Sequence, residues 1–379
     1  MQIEQMRWTQ GHGWEPTAPG RLGEAAQLVL LFGSTAVLKE QRHFDEIRQA
    51  YPLAHLLGCS TSGEIYQTQV FDDSLVVTAI QFEDTKIQGA RVKLSDGISS
   101  FEAGERLAKE LDKAGLVHVF VLSDGLHVNG SELVAGLAAY LPSHVAITGG
   151  LSGDGARFQE TLVFWDGAPE QEVIAAIGLY SDRLRVGYGS LGGWDSFGPE
   201  RLITRSKGNV LYELDGKSAL ELYKTYLGEH AKGLPATGLL FPLSLRTAES
   251  TTPVVRTILA VSEDEQSMTF AGDMPEGAYA RFMKANFDRL VDGATGAAKT
   301  SYEAVGSISP DLAVLISCVG RKLVLKQRIE EEVEGVREVL GERTALAGFY
   351  SYGEISPFTP GAKCDLHNQT MTITTFSEN

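Results

Sequence analysis

The sequence predicts an α/β protein of two related domains with mixed sheets, facing each other across a pseudo-symmetric inter-domain cleft. Three observations lead there. Apolar runs of strand length alternate with amphipathic stretches of helix length along the chain. The 379 residues, 43% of them hydrophobic, are long for one core and natural for two. One strand–helix–strand unit is also written twice. Near the start it runs AQLVLLFGS, FDEIRQAYP, HLLGCSTSGEI; near the end it runs LAVLISCVG, EEEVEGVREVLG, ALAGFYSYGEI. Both copies close on Gly, four residues, then Gly-Glu-Ile: Gly58 to Ile65 and Gly348 to Ile355.

The elements follow in order. QLVLLFGS is a strand, and HFDEIRQAY a helix with Phe44 and Ile47 on one face, stopped by Pro52. AHLLGCS is the next strand, and SLVVTAIQF and IQGARVKL read as a meander. FEAGERLAKELDKAG is a helix and LVHVFVLSDGL a buried strand. NGSELVAGLAAYL is a helix capped by Asn129 or Ser131. HVAITGGLSGDGARF is a strand opening into a glycine-rich loop. TLVFWDG, EVIAAIGLYS and LRVGYGSLGGW read as antiparallel strands joined by turns. RLITRSKGNVLYELDG has the look of a hairpin turning at Gly208-Asn209, and KSALELYKTYLG opens a new helix. Past a strand-rich stretch, AYARFMKANFDRLVDGATGAAKTSYEAV reads as helical. DLAVLISCVGR, TALAGFYSYGEI and LHNQTMTITTF are strands, and RIEEEVEGVREVLG is a helix with Ile329, Val333, Val336 and Leu340 on one stripe. The domain limits expected from this are an N-terminal extension over 1–24, a first domain over 25–209 and a second over 210–379.

The net charge of −16 disfavours nucleic acid and anionic membranes as partners. The first residues show no apolar signal region, no run approaches a membrane span, and Cys59, Cys318 and Cys364 are too few and odd in number for a disulfide framework. A cytoplasmic protein is expected.

A strand that stops at Gly-x4-Gly leaves backbone N–H groups free at its carboxyl end, and glycine lets a ligand come close. Ligands of α/β sheets tend to bind at such ends. Gly58, Cys59, Ser60, Gly63 and Glu64 of the first turn, with Gly353 and Glu354 of the second, are therefore candidate ligand-binding residues. The bland alternative is that the glycines serve tight turns and the glutamates cap backbone. Cys59 also offers a nucleophile, and Glu64 with Glu354 a carboxylate pair. GYGSLGG and TGGLSGDG fit neither the dinucleotide fingerprint nor the P-loop.

LVLLFGS, LLGCSTSGEI, VFVLSDGL, ITGGLSGDG, NVLYELDGKSALELYKTYLG, FPL, SCVGR, GFYSYGEI and LHNQT, in that order, resemble the FIST family over almost the whole chain. The resemblance implies a bacterial sensory protein without catalytic chemistry, with an N-terminal and a C-terminal FIST domain. It implies a small ligand, with amino acids proposed for the family, and a histidine kinase or cyclic-di-GMP enzyme as partner in a two-component or related pathway. A single-module branch of the family is similar to the nitric oxide-sensing haem proteins called NosP. On that branch haem b is bound non-covalently and nitric oxide is detected at its iron. An axial histidine is then required, because no Cys-x-x-Cys-His is present. His367, in CDLHNQT, and His127, after VFVLSDGL, are the candidates, His367 being the one assigned to the iron. His12, His43, His55, His118, His144 and His230 read as surface, core or helix-end residues, and Arg281, Lys284 and Arg321 as possible propionate partners. The alternative expectation is a haem-free sensor of an amino-acid-like ligand.

Overall fold

The structure, a computed structural model, describes every residue except 95–96, 248–252, 307, 360 and 379. It is mixed α/β as expected, and the unit written twice in the sequence is built three times. In each copy two parallel strands flank a helix. These are Leu28–Gly33 and His55–Ser60 around Gln41–Ala50; Leu116–Ser123 and Ala146–Leu151 around Gly130–Tyr140; Leu312–Cys318 and Ala345–Ser351 around Ile329–Leu340. A returning strand lies antiparallel to the first of each pair: Ser74–Gln81, Val173–Tyr180 and Met371–Glu378. A strand that precedes each pair in sequence adds to the returning one: Gln2–Thr9, Lys86–Lys93 and Leu184–Leu191. The segment 1–24, expected to be an extension, thus supplies a strand of the first unit's sheet.

The segment after each second parallel strand leaves its own unit. Glu64–Tyr66 pairs with Ala345–Ser351 of the third unit, Gly353–Pro357 with Ala146–Leu151 of the second, and Val163–Trp165 with His55–Ser60 of the first. The exchange is cyclic, and it makes three six-stranded mixed sheets. Their inner faces share one apolar core, in which Leu30, Phe32, Phe120, Leu122, Ile316 and Phe349 come from all three units and the Phe32 and Phe349 rings lie 4.8 Å apart. The space left near one end of this core, lined by Leu28, Phe120, Leu312 and Phe376 among others, measures about 20 Å³. The outer faces carry the helices, each over its own apolar cluster.

Gly58, Gly149 and Gly348 occupy equivalent places in the three second strands, opposite Leu31, Val121 and Leu315. A Cβ at any of them would overlap the carbonyl oxygen of that opposite residue. Only glycine lets the two parallel strands approach this closely.

Two expectations need correction. Ser74–Gln81 and Lys86–Lys93 are not a meander, since they lie in different sheets, paired with Leu28–Gly33 and Val173–Tyr180 respectively. Likewise Leu184–Leu191 pairs with Met371–Glu378, not with the strand before it. Short polar connections step from one unit to the next, and adjacency in sequence does not show this.

Between Leu184–Leu191 and helix Phe287–Ala304 the chain builds a lobe, residues 195–284, of curled antiparallel sheet with helix Ala219–Leu227 against it. Its core, around Tyr223, Phe270 and Phe282, is its own. The hairpin turning at Gly208-Asn209 is present, joining Asp195–Lys207 to Val210–Leu214. The stretch AYARFMK is not helical as expected. Tyr279–Lys284 is a strand with alternating exposure, paired on both sides, and the helix begins only after its cap Asn286. Among the described residues no helix is long and apolar enough to cross a membrane.

Candidate functional site

The Gly-Glu-Ile turns do come together. Ser62 N donates to Tyr350 O and Tyr350 N to Gly63 O, both at 2.8 Å. The glycine-rich loop of the second unit joins them, with Gly153 N donating to Ser60 O at 2.9 Å and Ser62 Oγ and Tyr352 Oη donating to Gly155 O at 3.2 and 3.1 Å. The meeting place is filled. Cys59, Ser60, Ser62, Glu64, Tyr350 and Glu354 are buried, and Phe158 stacks over Tyr352 at 4.4 Å. Lys322 Nζ closes the side next to Gly63 by donating to Ser62 O at 2.8 Å and to Asp72.

The two glutamates have one role, performed twice. Glu64 accepts from the Thr61 hydroxyl, from Ser74 N at 3.1 Å and from Ser74 Oγ at 2.7 Å. Glu354 accepts from Ser351 Oγ at 2.7 Å, Thr370 N at 3.1 Å and Thr370 Oγ1 at 2.9 Å. Each ties its turn to the start of the returning strand. Burial pushes the Glu64 carboxyl up to about 7 and that of Glu354 up to about 8, against the pull of these donors. In the second unit the tie comes from elsewhere. Asp124, at the end of Leu116–Ser123, accepts from Thr161 Oγ1 and Glu172 N, both at 3.0 Å, while Asp154 stands where Gly63 and Gly353 stand in the other turns. That displacement of the carboxylate hides the third copy from the sequence. The retained Gly149 after an apolar strand is the signal that finds it.

The cysteines are all buried free thiols, and burial pushes each of them up, so Cys59 is not placed as a nucleophile. His367 is wholly buried opposite Glu354, with Nε2 donating to Ser356 O at 2.7 Å, the Phe358 ring 4.1 Å away edge-on, and Nδ1 without a hydrogen-bond partner. Desolvation lowers it to about 4, so it is neutral. His127 is 44% exposed and holds Nδ1 against Asp124 at 3.1 Å. His118 is a buried core residue paired with Thr148 at 2.9 Å, and His43 packs at 4.2 Å on Trp8. Arg281 and Lys284 belong to the lobe, whereas Arg321 is fully buried in an ion pair with Glu332 at 2.7 Å.

An open cleft lies where the sequence offered no motif, between the lobe and helix Gly130–Tyr140 of the second unit. It measures about 290 Å³ and is lined by Ser131, Val134, Leu245, Arg256, Asp273 and Lys363 with Cys364 and Asp365. Asn129, which caps the helix, donates through Nδ2 to Asp273 Oδ1 at 2.7 Å and so joins lobe to core at its rim. Arg256 is 3% exposed. Its Nη1 donates to Leu366 O at 2.8 Å, Nη2 to Ser131 Oγ at 3.3 Å and Nε to Asp273 O at 3.3 Å. The nearest carboxylate oxygen, of Asp365, is 3.7 Å away. Burial lowers the guanidinium, and Asp365 and Asp273 oppose that. The site holds two cations beside two carboxylates, a charge pattern that suits a ligand carrying both signs. The segments bearing both candidate histidines border it, since His127 precedes Asn129 and His367 follows Asp365, yet neither ring lines it.

Neither this cleft nor the central 20 Å³ space is lined by His367 or His127, Nε2 of His367 is already bonded, and the propionate candidates are dispersed.

A model of the FIST N domain matches residues 27–217, and one of the FIST C domain matches residues 219–357. MJ1623, a protein of Methanocaldococcus jannaschii described as uncharacterized, is 23% identical over 347 residues, covering 83% of this chain and 64% of that protein. The chain therefore spans less than two thirds of that relative. Among solved structures, a chorismatase aligns with 9% identity and a TM-score of 0.36 over 99% of this chain and 98% of its own. A cyanuric acid hydrolase from A. caulinodans aligns with 8% identity and a TM-score of 0.38 over 100% and 99%.

Proposed function

Because the chain belongs to the FIST family, whose domains are sensory domains of signal transduction, we propose that it binds a small zwitterionic, amino-acid-like ligand in the cleft between the lobe and the second unit. The observation that carries this is Arg256. A nearly buried guanidinium at the cleft, bonded to carbonyls and a hydroxyl, is ion-paired to Asp365 at 3.7 Å, longer than a charge-assisted hydrogen bond, which leaves the place of a close anionic partner to a ligand. A ligand carboxylate takes that place with Lys363, while Asp273 or Asp365 receives the ammonium. The role is binding without catalysis. The ligand state is passed to a histidine kinase or cyclic-di-GMP enzyme in the cytoplasm, which requires different partner affinity in the two states. Titration with each of the standard L-amino acids, followed by calorimetry and melting temperature, tests it. At least one should raise the melting temperature of the wild type and leave Arg256→Met unmoved. No shift with any of them rejects this ligand class.

Haem b with nitric oxide is the second reading. It rests on the resemblance to the haem-binding branch and on the unpartnered Nδ1 of buried His367. An absorption spectrum of protein produced with ample haem decides. A Soret band that is lost in His367→Ala supports it, and no band with only weak uptake of added haem rejects it.

A further inference from the structure

Resting on the cleft as ligand site, we infer that the lobe closes onto the second unit about a pivot held by Arg321. The chain crosses between core and lobe only twice, at 191–195 and at 284–287. Arg321 holds both roots. Its Nη1 donates to Gly192 O and its Nη2 to Leu290 O, each at 2.7 Å. Trp194 Nε1 adds a bond to Gln369 O at 2.9 Å. The guanidinium is wholly buried and is itself held by Glu332, through Nε at 3.0 Å and Nη2 at 2.7 Å. The other oxygen of Glu332 accepts from Tyr350 Oη at 2.6 Å and Ser317 Oγ at 3.1 Å. Tyr350 is the residue whose backbone meets Gly63 at the junction of the turns. The pivot is thus built into the rigid centre of the molecule.

The contacts at the cleft are of another kind. Asn129 to Asp273 and Arg256 to Ser131 are single polar contacts at the cleft, backed by two buried ones, Arg256 to Leu366 O and Thr257 N to the Asn368 side chain. Around the cleft the apolar clusters of lobe and core are separate, and the cluster they share, Met283 and Leu240 with Leu290, Val324 and Leu325, lies beside the Arg321 pivot. Polar contacts exchange readily for water, so such an interface opens at little expense, whereas an apolar one does not. A ligand that bridges Arg256 on the lobe and Lys363 on the core favours the closed form by its differential contacts.

In a Cys364→Ser background, since Cys364 lines the cleft, spin labels at Ala139→Cys, on the exposed end of helix Gly130–Tyr140, and at Lys232→Cys, exposed on the lobe, report the opening while the buried thiols of Cys59 and Cys318 stay unlabelled. The free protein should give a broad or two-peaked distance distribution, and Arg256→Ala should shift it further toward long distances. One narrow distance unchanged by Arg256→Ala overturns the closure. Arg321→Met should broaden the distribution and speed amide exchange in peptides over 191–195 and 284–290 at least tenfold. No change in either overturns the pivot. If that variant does not fold, Glu332→Gln, which keeps the volume and loosens the guanidinium, is held to the same outcomes. A free protein that moves but whose melting temperature no amino acid shifts leaves the hinge standing and rejects the ligand class alone.

Discussion

Gly149 and Gly348 show what a single position decides. Alanine at either, or at Gly58, places a methyl group on a backbone carbonyl that cannot yield. Each variant should lose on the order of 3 kcal/mol or more in urea unfolding, or fail to fold. Gly11→Ala, with nothing within 4 Å, should stay close to the wild type. Glu64 and Glu354 give a pH dependence. Their folded values, about 7 and about 8, stand above the unbound 4.5, so the fold prefers the protonated carboxyls. This stabilisation is full below pH 4.5 and is lost as pH rises through 7 and 8, about 3 kcal/mol for Glu64 and about 5 kcal/mol for Glu354. The melting temperature should fall from pH 5.5 to pH 9, less steeply in Glu64→Gln; identical slopes would show that Glu64 folds already ionised. At this scale the sequence was legible where one residue type has one use. The helix cap could be narrowed to Asn129 or Ser131, of which Asn129 is the one, and the closing glycines could be read directly. The duty of the glutamates could not, because Gly-Glu-Ile suits a ligand turn and a backbone tie equally, and only the partners Ser74 and Thr370 choose between them.

Elements were legible where the apolar period is strong. The strands Leu28–Gly33 and Leu312–Cys318 are buried along their whole length, and such runs are recognisable without knowing their neighbours. Tyr279–Lys284 was misread because YARFMK carries good helix formers in a strand paired on both sides, and tertiary pairing overrode propensity. Helix Ser100–Glu110 opens with a capping box in which Ser99 and Glu102 satisfy each other's backbone N–H. Ser99→Ala should reduce stability by about 1 kcal/mol, measured by denaturant titration. Glu332→Ala should cost far more, roughly 3–5 kcal/mol, because it leaves the Arg321 guanidinium buried and unpaired beside Ser317 and Tyr350.

The whole molecule was the least legible scale. Two copies of the unit were visible, but the third, the cyclic pairing and the cleft depend on contacts far apart in sequence, such as Ile65 with Gly348 or Arg256 with Leu366. The lobe, with its own apolar cluster, should melt separately from the core, giving two calorimetric transitions that merge when ligand bridges the cleft. The cyclic pairing also bears on how the chain is made. Met371–Glu378 sits between Leu312–Cys318 and Leu184–Leu191 in the middle of a sheet, and Gly353–Pro357 finishes the sheet of the second unit. During synthesis Ala146–Leu151 emerges with an edge that only Gly353–Pro357 covers, and Glu64–Tyr66 and Leu184–Leu191 emerge before Ala345–Ser351 and Met371–Glu378, their partners. These strands must wait with bare edges, exposed to chaperones and to neighbouring nascent chains, until translation has passed residue 378.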